Sequence, residues 1–466
     1  MNLKKSIVKV FSANFLQLIS SLIIGFIVPV ILSIEGYANL KTYTLYVSYI
    51  GFFHLGFIDG LYIKYGGKKL DEINKGILKG EHNFLVILEF IISLILFLLS
   101  LIMHNMVLFL FSISILPIMI QTFHKFLNQA IGNFDRYSKI MYTYTLTYMI
   151  LNVLLSLVFR SIDYILYCLT TFGANLVSVM VFEIKFLREY RKEKAVITKE
   201  VWNNIKVGFF ILLGNLSVVA LFGIDKWFVK LFLTTEDFAY YSFAVSMLNI
   251  INVLVNAISI TFYNYLFENN STEKINKLKK YLVTLGGGAS LGFFVLEFIV
   301  NYFIQKYIPS LDIIAVTFAV FPYMILINAL YVNLYKVNKD EKKYFKVVVS
   351  MLIVSIVYNI IAVLIFKNTT SIAFATILTL ITWVIYSTHD LKNVTSEKKV
   401  YVYTFSLTIF FLLCAHYLNW IIGGCVYLIG YLILTYLFNK EVLIDIKDTV
   451  KGILNKKSMK IKDSTN

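Results

Sequence analysis

Charge is what this 466-residue sequence has least of: 15% of its residues are Asp, Glu, Lys or Arg, against 59% hydrophobic. A soluble domain of this length needs more charge to solvate its surface, so the scarcity points to the bilayer as solvent. Cysteine is nearly absent. Cys168, Cys414 and Cys425 all lie in apolar runs, which excludes a disulfide framework and leaves buried, inert thiols. No His/Cys metal spacing, nucleophile elbow, phosphate-cradling glycine loop or pair of catalytic carboxylates occurs. Nothing suggests an enzyme, a resident metal or a cofactor. Gly286-Gly287-Gly288 falls inside an apolar run, where small residues permit close helix packing. Proline is rare too, yet Pro29, Pro117 and Pro322 lie inside apolar runs, and each is expected to kink its helix.

What the chain has is apolar runs. A helix needs about 20 apolar residues to cross the hydrocarbon layer. The runs place spans at 11–33, 42–62, 84–103, 107–123, 140–159, 164–184, 207–225, 238–266, 281–304, 312–335, 347–366, 370–388, 401–418 and 420–438. The first is too long for a signal-peptide core and shows no small-residue cleavage site, so it reads as an uncleaved span. The formal charge of +16 tests the count. With the N-terminus inside, 37 of the 43 Lys and Arg residues fall on inner segments, the alternation of the positive-inside rule. That use of basic residues sets nucleic acid aside. Both termini are expected in the cytoplasm. The outer segments are all short, the longest running from Lys226 to Asp237. In one inner loop Leu70, Ile73 and Ile77 stand at helical spacing among lysines, as in a stretch lying on an anionic membrane surface.

Local matches recur about 200 residues apart. Asn14 corresponds to Asn215, and Tyr43 with Val47-Ser48 to Tyr241 with Val245-Ser246. Ungapped, Pro117, Met119, Ile120, Asn128, Asn133 and Asp135 meet Pro322, Met324, Ile325, Asn333, Asn338 and Asp340. Each match links a span to the one six further on. The expected fold is therefore an all-α integral membrane protein of about fourteen helices: two six-helix bundles in tandem repeat (1–205 and 206–400), an extra hairpin (401–438) and a cytoplasmic tail (439–466). Two like-oriented bundles are a common transporter plan, with a substrate path between them.

Three further stretches carry a family resemblance: Gly56-Phe57-Ile58-Asp59-Gly60, Gly132-Asn133-Phe134-Asp135, and Asp225-Lys226-Trp227 followed by Ala239-Tyr240-Tyr241-Ser242-Phe243-Ala244. With the six-plus-six-plus-two plan, they make the chain resemble the polysaccharide-export, oligosaccharide-flippase branch of the multidrug/oligosaccharidyl-lipid/polysaccharide flippase superfamily. Family members commonly carry Arg where Lys226 stands. The resemblance implies a flippase in the bacterial plasma membrane that moves undecaprenyl-diphosphate-linked sugar repeat units to the outer leaflet, with a glycan polymerase as a further partner. A cation-coupled multidrug exporter and a membrane-embedded glycan polymerase or ligase are the alternatives. The first is expected to have twelve spans and acidic cavity residues, and the second a substantial outer loop. Lipid II transport is a variant that lacks its expected Arg cluster in spans 1 and 2.

A diphosphate-sugar headgroup needs a polar, hydrated path with cationic character. Asn249, Asn252, Asn256, Ser259 and Tyr263 step by three and four along span 8 and so share one face. They line either a sugar-binding cavity or a hydrogen-bonded helix contact. Asn215 and Asn328 join them as cavity candidates. Asp225 and Lys226 form either a charged gate or a snorkelling pair near the outer end of span 7, with Trp227 and Lys230 as interface anchors. His54 and Asp59, and Glu89 with Glu297, are candidates for coupling to H⁺ or Na⁺. Asp59 has pairing with Lys64 as its plain alternative. His124, Lys125 and Arg136 flank the inner loop after span 4, where they either receive a diphosphate or serve only the positive-inside bias.

Overall fold

The computed structural model describes residues 3–268, 271–391, 394 and 397–463; the side chains of 3–7, 251–261, 263–264, 267–268, 341 and 446–463 lie outside the description. All regular structure among the described residues is helical, in two compact units, Met1–Gly223 and Ile224–Asn466.

Unit one holds α1 (Leu3–Ile31), α2 (Ile34–Ser48), α3 (Phe57–Tyr65), α4 (Lys75–Ile102), α5 (Met106–Ala130), α6 (Phe134–Val153), α7 (Tyr164–Glu189) and α8 (Glu200–Leu221). Short polar side chains start most of them. Asn74, Asn105 and Asn133 each accept the backbone N–H three residues on, capping α4, α5 and α6, and Ser33 and Asp163 cap α2 and α7. Gly132, at φ +70°, turns the chain out of α5 just before the Asn133 cap. The Gly-Asn-Phe-Asp stretch is thus a helix stop followed at once by a helix start.

The expected span 42–62 is interrupted. Helix α2 ends at Ser48, and Leu55 and Gly56 take positive φ (50° and 84°) before α3 begins. The reason for Gly56 and Gly60 is α8. A Cβ on Gly60 would stand 2.0 Å from the Asn204 carbonyl oxygen, and one on Gly208 would stand 1.8 Å from that of Gly56. Small residues four apart let the two backbones touch.

Unit two holds α9 (Ile224–Phe232), α10 (Thr235–Glu268), α11 (Thr272–Ala289), α12 (Gly292–Phe303), α13 (Leu311–Phe318), α14 (Phe321–Ile325), α15 (Val332–Val337), α16 (Glu341–Ile365), α17 (Thr369–Asp390), α18 (Lys398–Tyr417) and α19 (Trp420–Asp463). Helix α19 is kinked at Asn439, whose φ is −132°. A π-helical stretch, Leu326–Tyr331, joins α14 to α15. Gly286 brings α11 onto α14, where an added Cβ would lie 2.5 Å from Pro322 Cα.

Eleven described helices are long and apolar enough to cross a membrane. They become twelve when Gln305–Phe318 and Phe321–Val337 count as one span bent by 44°. The other two expected spans fall on the interrupted α2–α3 and on α10, part of whose side chains are outside the description. Helix α4 shows the environment most clearly, with mean hydropathy 3.0 and Phe90, Ile91, Leu94, Ile95 and Leu98 all exposed. A surface so continuously apolar suits lipid and not water. The chain is a multi-pass membrane protein.

Pro117 and Pro322 do not sit in matched surroundings. Helix α5 runs continuously through Pro117, whereas the chain breaks by 44° just before Pro322, which stands in the first turn of α14. At that position its missing N–H costs nothing.

Candidate functional site

Polar groups gather in unit one around the α3–α8 contact. Asp59, in the first turn of α3, accepts a hydrogen bond from Asn215 Nδ2 of α8 at 3.4 Å and faces His54 Nε2 at 3.8 Å. His54 Nδ1 in turn accepts the Gly56 N–H at 3.1 Å, which orients the ring. The structure therefore brings together a cavity candidate, Asn215, and both coupling candidates of span 2. Asp59 does not pair with Lys64.

Lys64 points instead at Glu81 of α4 (2.7 Å) and also pairs with Glu200 of α8. Glu81 is fully buried and accepts from Asn204 Nδ2 at 2.8 Å and from Tyr65 Oη at 2.5 Å. Burial disfavours the Lys64 ammonium, but the carboxylates of Glu200 and Glu81 outweigh it and raise its pKa.

Beside this cluster, His124 Nε2 of α5 lies 2.7 Å from Glu183 Oε2 of α7, and His82 Nε2 of α4 lies 3.1 Å from the same carboxylate. Residue spacing gave no sign of this trio, because its members come from three helices. Arg136 faces Glu189 at 3.5 Å and Lys125 sits over the Phe126 ring. Two of the three basic groups expected to receive a diphosphate thus already face carboxylates.

Farther along unit one lies a cavity of about 190 Å³ lined by Gln17, Ser20 and Ser21 of α1, Tyr43 and Thr44 of α2, Tyr144, Thr145 and Tyr148 of α6, and Thr171 of α7. Ser20 Oγ and Thr145 Oγ1 are buried and have no hydrogen-bond partner among the described residues. Buried hydroxyls are normally satisfied, so these two are poised for a water or a polar ligand. Glu89, fully buried in α4, has neither carboxylate oxygen bonded among the described residues. What such a group can hold is a proton or a cation.

In unit two, α8 has already ended when Asp225 opens α9, so the expected end of span 7 is a separate short helix. Asp225 is buried, accepting Tyr241 Oη at 2.7 Å and the Lys226 N–H at 2.8 Å. Lys230 lies over the Phe238 ring at 5.1 Å. Glu297 is buried, and its Oε2 lacks a partner among the described residues. Asn328 lies in the π-helical stretch, and Asn249 on an exposed face of α10. The side chains of Asn252, Asn256, Ser259 and Tyr263 lie outside the described residues. The larger cavities here are apolar. One of about 400 Å³ is walled by Ile361, Phe366, Phe374 and Leu378, and one of about 320 Å³ by Leu326, Ile385 and Phe405, with Lys279 as its buried cation.

Sequence reasoning missed Glu81, His82, Glu183 and the hydroxyl cavity. The first two stand just before the apolar run of span 3, where a helix extended by two turns would have claimed them.

No family model and no curated protein matches the sequence. Solved structures do. The chain is similar to a lipid II flippase MurJ in an inward closed conformation (16% identity, TM-score 0.64), over 94% of this chain and 99% of that one. It is also similar to an inward-facing multidrug resistance MATE family transporter of the MOP superfamily (11% identity, TM-score 0.55), over 83% of this chain and 98% of that one. The chain has the fold shared by the MurJ flippase and the MATE transporters.

Proposed function

We propose that the chain is a flippase for undecaprenyl-diphosphate-linked oligosaccharide repeat units, working by alternating access in the bacterial plasma membrane to supply surface-polysaccharide biosynthesis. In this reading it has fourteen spans in a six-plus-six-plus-two plan, both termini in the cytoplasm, and a glycan polymerase as a downstream partner. It moves its cargo and does no chemistry on it.

The observation that carries the reading is the extent of the MurJ likeness. It spans 94% of the chain, whereas the MATE likeness spans 83%, and the difference is about the length of two membrane spans. A plan longer than that of a small-cation exporter favours a large lipid-linked cargo. The hydroxyl-lined cavity of unit one supports the same reading, because sugars are held by hydroxyl and amide groups. Its unbonded Ser20 and Thr145 hydroxyls await such partners. Asp59, Glu89, Asp225 and Glu297 are the proposed H⁺ or Na⁺ coupling and gating carboxylates.

Flipping of lipid II itself is the second reading, favoured by the cargo of the MurJ protein. Against it, residues 1–62 contain no arginine, so the Arg cluster expected of a lipid II carrier in spans 1 and 2 is missing.

Deletion of the gene with extraction of cellular lipids and surface glycan tests the proposal. Loss of surface polymer with accumulation of cytoplasm-facing undecaprenyl-diphosphate oligosaccharide is expected. Normal polymer and normal lipid-linked pools, in a strain without a redundant flippase, would refute it. Build-up of lipid II would select the second reading.

A further inference from the structure

We infer that His82, His124 and Glu183 form a binding site for one divalent transition-metal ion of the zinc class, fastening α4, α5 and α7 together. The inference does not depend on what the protein transports. Both imidazoles present the same atom, Nε2, to one carboxylate, at 3.1 and 2.7 Å. The three donor atoms all lie within 4.8 Å of one another. Zinc binds histidine nitrogen and carboxylate oxygen at about 2.0–2.2 Å, so small side-chain rotations close these three donors around an ion. Two imidazoles with one carboxylate is a catalytic-type ligand set that leaves a fourth position for water, and it disfavours Mg²⁺ or Ca²⁺, which take oxygen ligands.

Two features argue for a metal beyond the hydrogen bonds already present. The first is charge. Glu183 is largely buried, yet among the described residues its only ion-pair partners are the two imidazoles. The nearby Arg136 is turned to Glu189. A buried carboxylate wants a compensating cation, and a divalent ion supplies it while keeping both imidazoles neutral. The second is the wall. His82 packs on Phe123 and Phe186 at ring distances of 5.0 and 4.8 Å, and His124 on Phe186 at 5.4 Å. These aromatic contacts hold both rings with Nε2 turned to the carboxylate and shield the site from competing water. The outer nitrogen of His82, Nδ1, lies 3.5 Å from Asn83 Oδ1, the kind of second contact that fixes a ligand's tautomer.

The test uses the full chain, purified in detergent through a tag without histidine, stripped with chelator and titrated with Co²⁺. One equivalent of Co²⁺ should bind with the visible d–d bands of a tetrahedral site, be displaced by Zn²⁺, and raise the thermal unfolding midpoint. His124→Gln and Glu183→Gln should weaken Co²⁺ binding at least tenfold, while His104→Gln, on the turn after α4, should leave it unchanged. If the two ligand variants do not fold, His82→Asn and the wild-type titration decide. Absence of stoichiometric Co²⁺ on the wild-type chain would overturn the inference and leave a protonated imidazole as the counter-charge. Equal binding by the wild-type and His124→Gln proteins would overturn it too, as adventitious binding.

Discussion

The two units bury their polar atoms differently. Unit one ties charges into a chain of partners: Asn215 to Asp59, Lys64 to Glu81 and Glu200, and two histidines to Glu183. It also keeps a hydroxyl-lined cavity. Unit two keeps larger apolar cavities and two buried acids, Glu297 and Asp225, the latter satisfied locally by Tyr241 and the adjacent backbone. In low dielectric a charge needs a partner close by or it does not persist. A unit that tolerates many charges must therefore hold its helices in fixed register, and the backbone contact of Gly56, Gly60 and Gly208 does this for α3 and α8. Among the described residues the ion pairs of unit two, Lys277 with Asp445, Lys280 with Glu397 and Lys343 with Asp390, are more exposed than Lys64 with Glu81, and its chain bends by 44° before Pro322.

Four substitutions would break or sharpen this contrast. The largest effect is expected from Lys64→Met. It strands the fully buried Glu81 without a counter-charge, at a cost of about 3–5 kcal/mol, and should be read as a collapse of folded yield and melting temperature in detergent. An unchanged melting temperature would mean that Glu81 is reached by water. Next comes Gly208→Ala, where the new Cβ has nowhere to go. About 2 kcal/mol of destabilisation is expected, whereas Gly424→Ala in unit two meets Phe294 at an ordinary 3.4 Å and should change the melting temperature little. Equal losses at both sites would mean that the α3–α8 contact is no tighter than ordinary van der Waals packing. Third, Asp225→Asn keeps a group able to accept from Tyr241, so it should fold normally yet, under the proposed function, cut glycan export severalfold, and by more than Lys230→Ala. The reverse order in an export assay would remove Asp225 from the gate. The smallest change in stability, within about 0.5 kcal/mol, is expected from Thr145→Val. Its hydroxyl has no partner to lose among the described residues, so only transport should fall. Normal transport in this variant would take the cavity out of the cargo path.

Hydropathy made the membrane helices readable in advance, because crossing hydrocarbon forces long apolar runs. It could not reveal the break inside span 2. Residues 49–56 are nearly as apolar as a helix, and what starts α3 afresh is a left-handed turn at Leu55 and Gly56, where α8 approaches too closely for a side chain at Gly56, which sequence-local reasoning does not see. The site residues divide along the same line. Asp59 and Asp225 stood out because a charge inside an apolar run is conspicuous, and His124 because it flanks an inner loop with Lys125 and Arg136. Glu81 and His82 stood just outside a run and looked like loop residues until α4 proved to start at Lys75. The hydroxyl cavity was invisible for a different reason. Ser20, Tyr43 and Thr145 are unremarkable in any one helix, and their meaning comes only from being gathered across three.

The interruption between α2 and α3 has an electrostatic consequence. A continuous helix would carry its partial charges to the two membrane faces, but a helix that begins anew at Phe57 brings a second start into the interior. Its free backbone N–H groups amount to roughly half a positive charge at that point. Asp59 occupies that first turn. The peptide backbone itself thus provides part of the cationic counterweight that a buried carboxylate otherwise takes from lysine or arginine. Exchange of the Asn215 contact for an incoming ion or proton would then occur against a field that no side-chain substitution can remove.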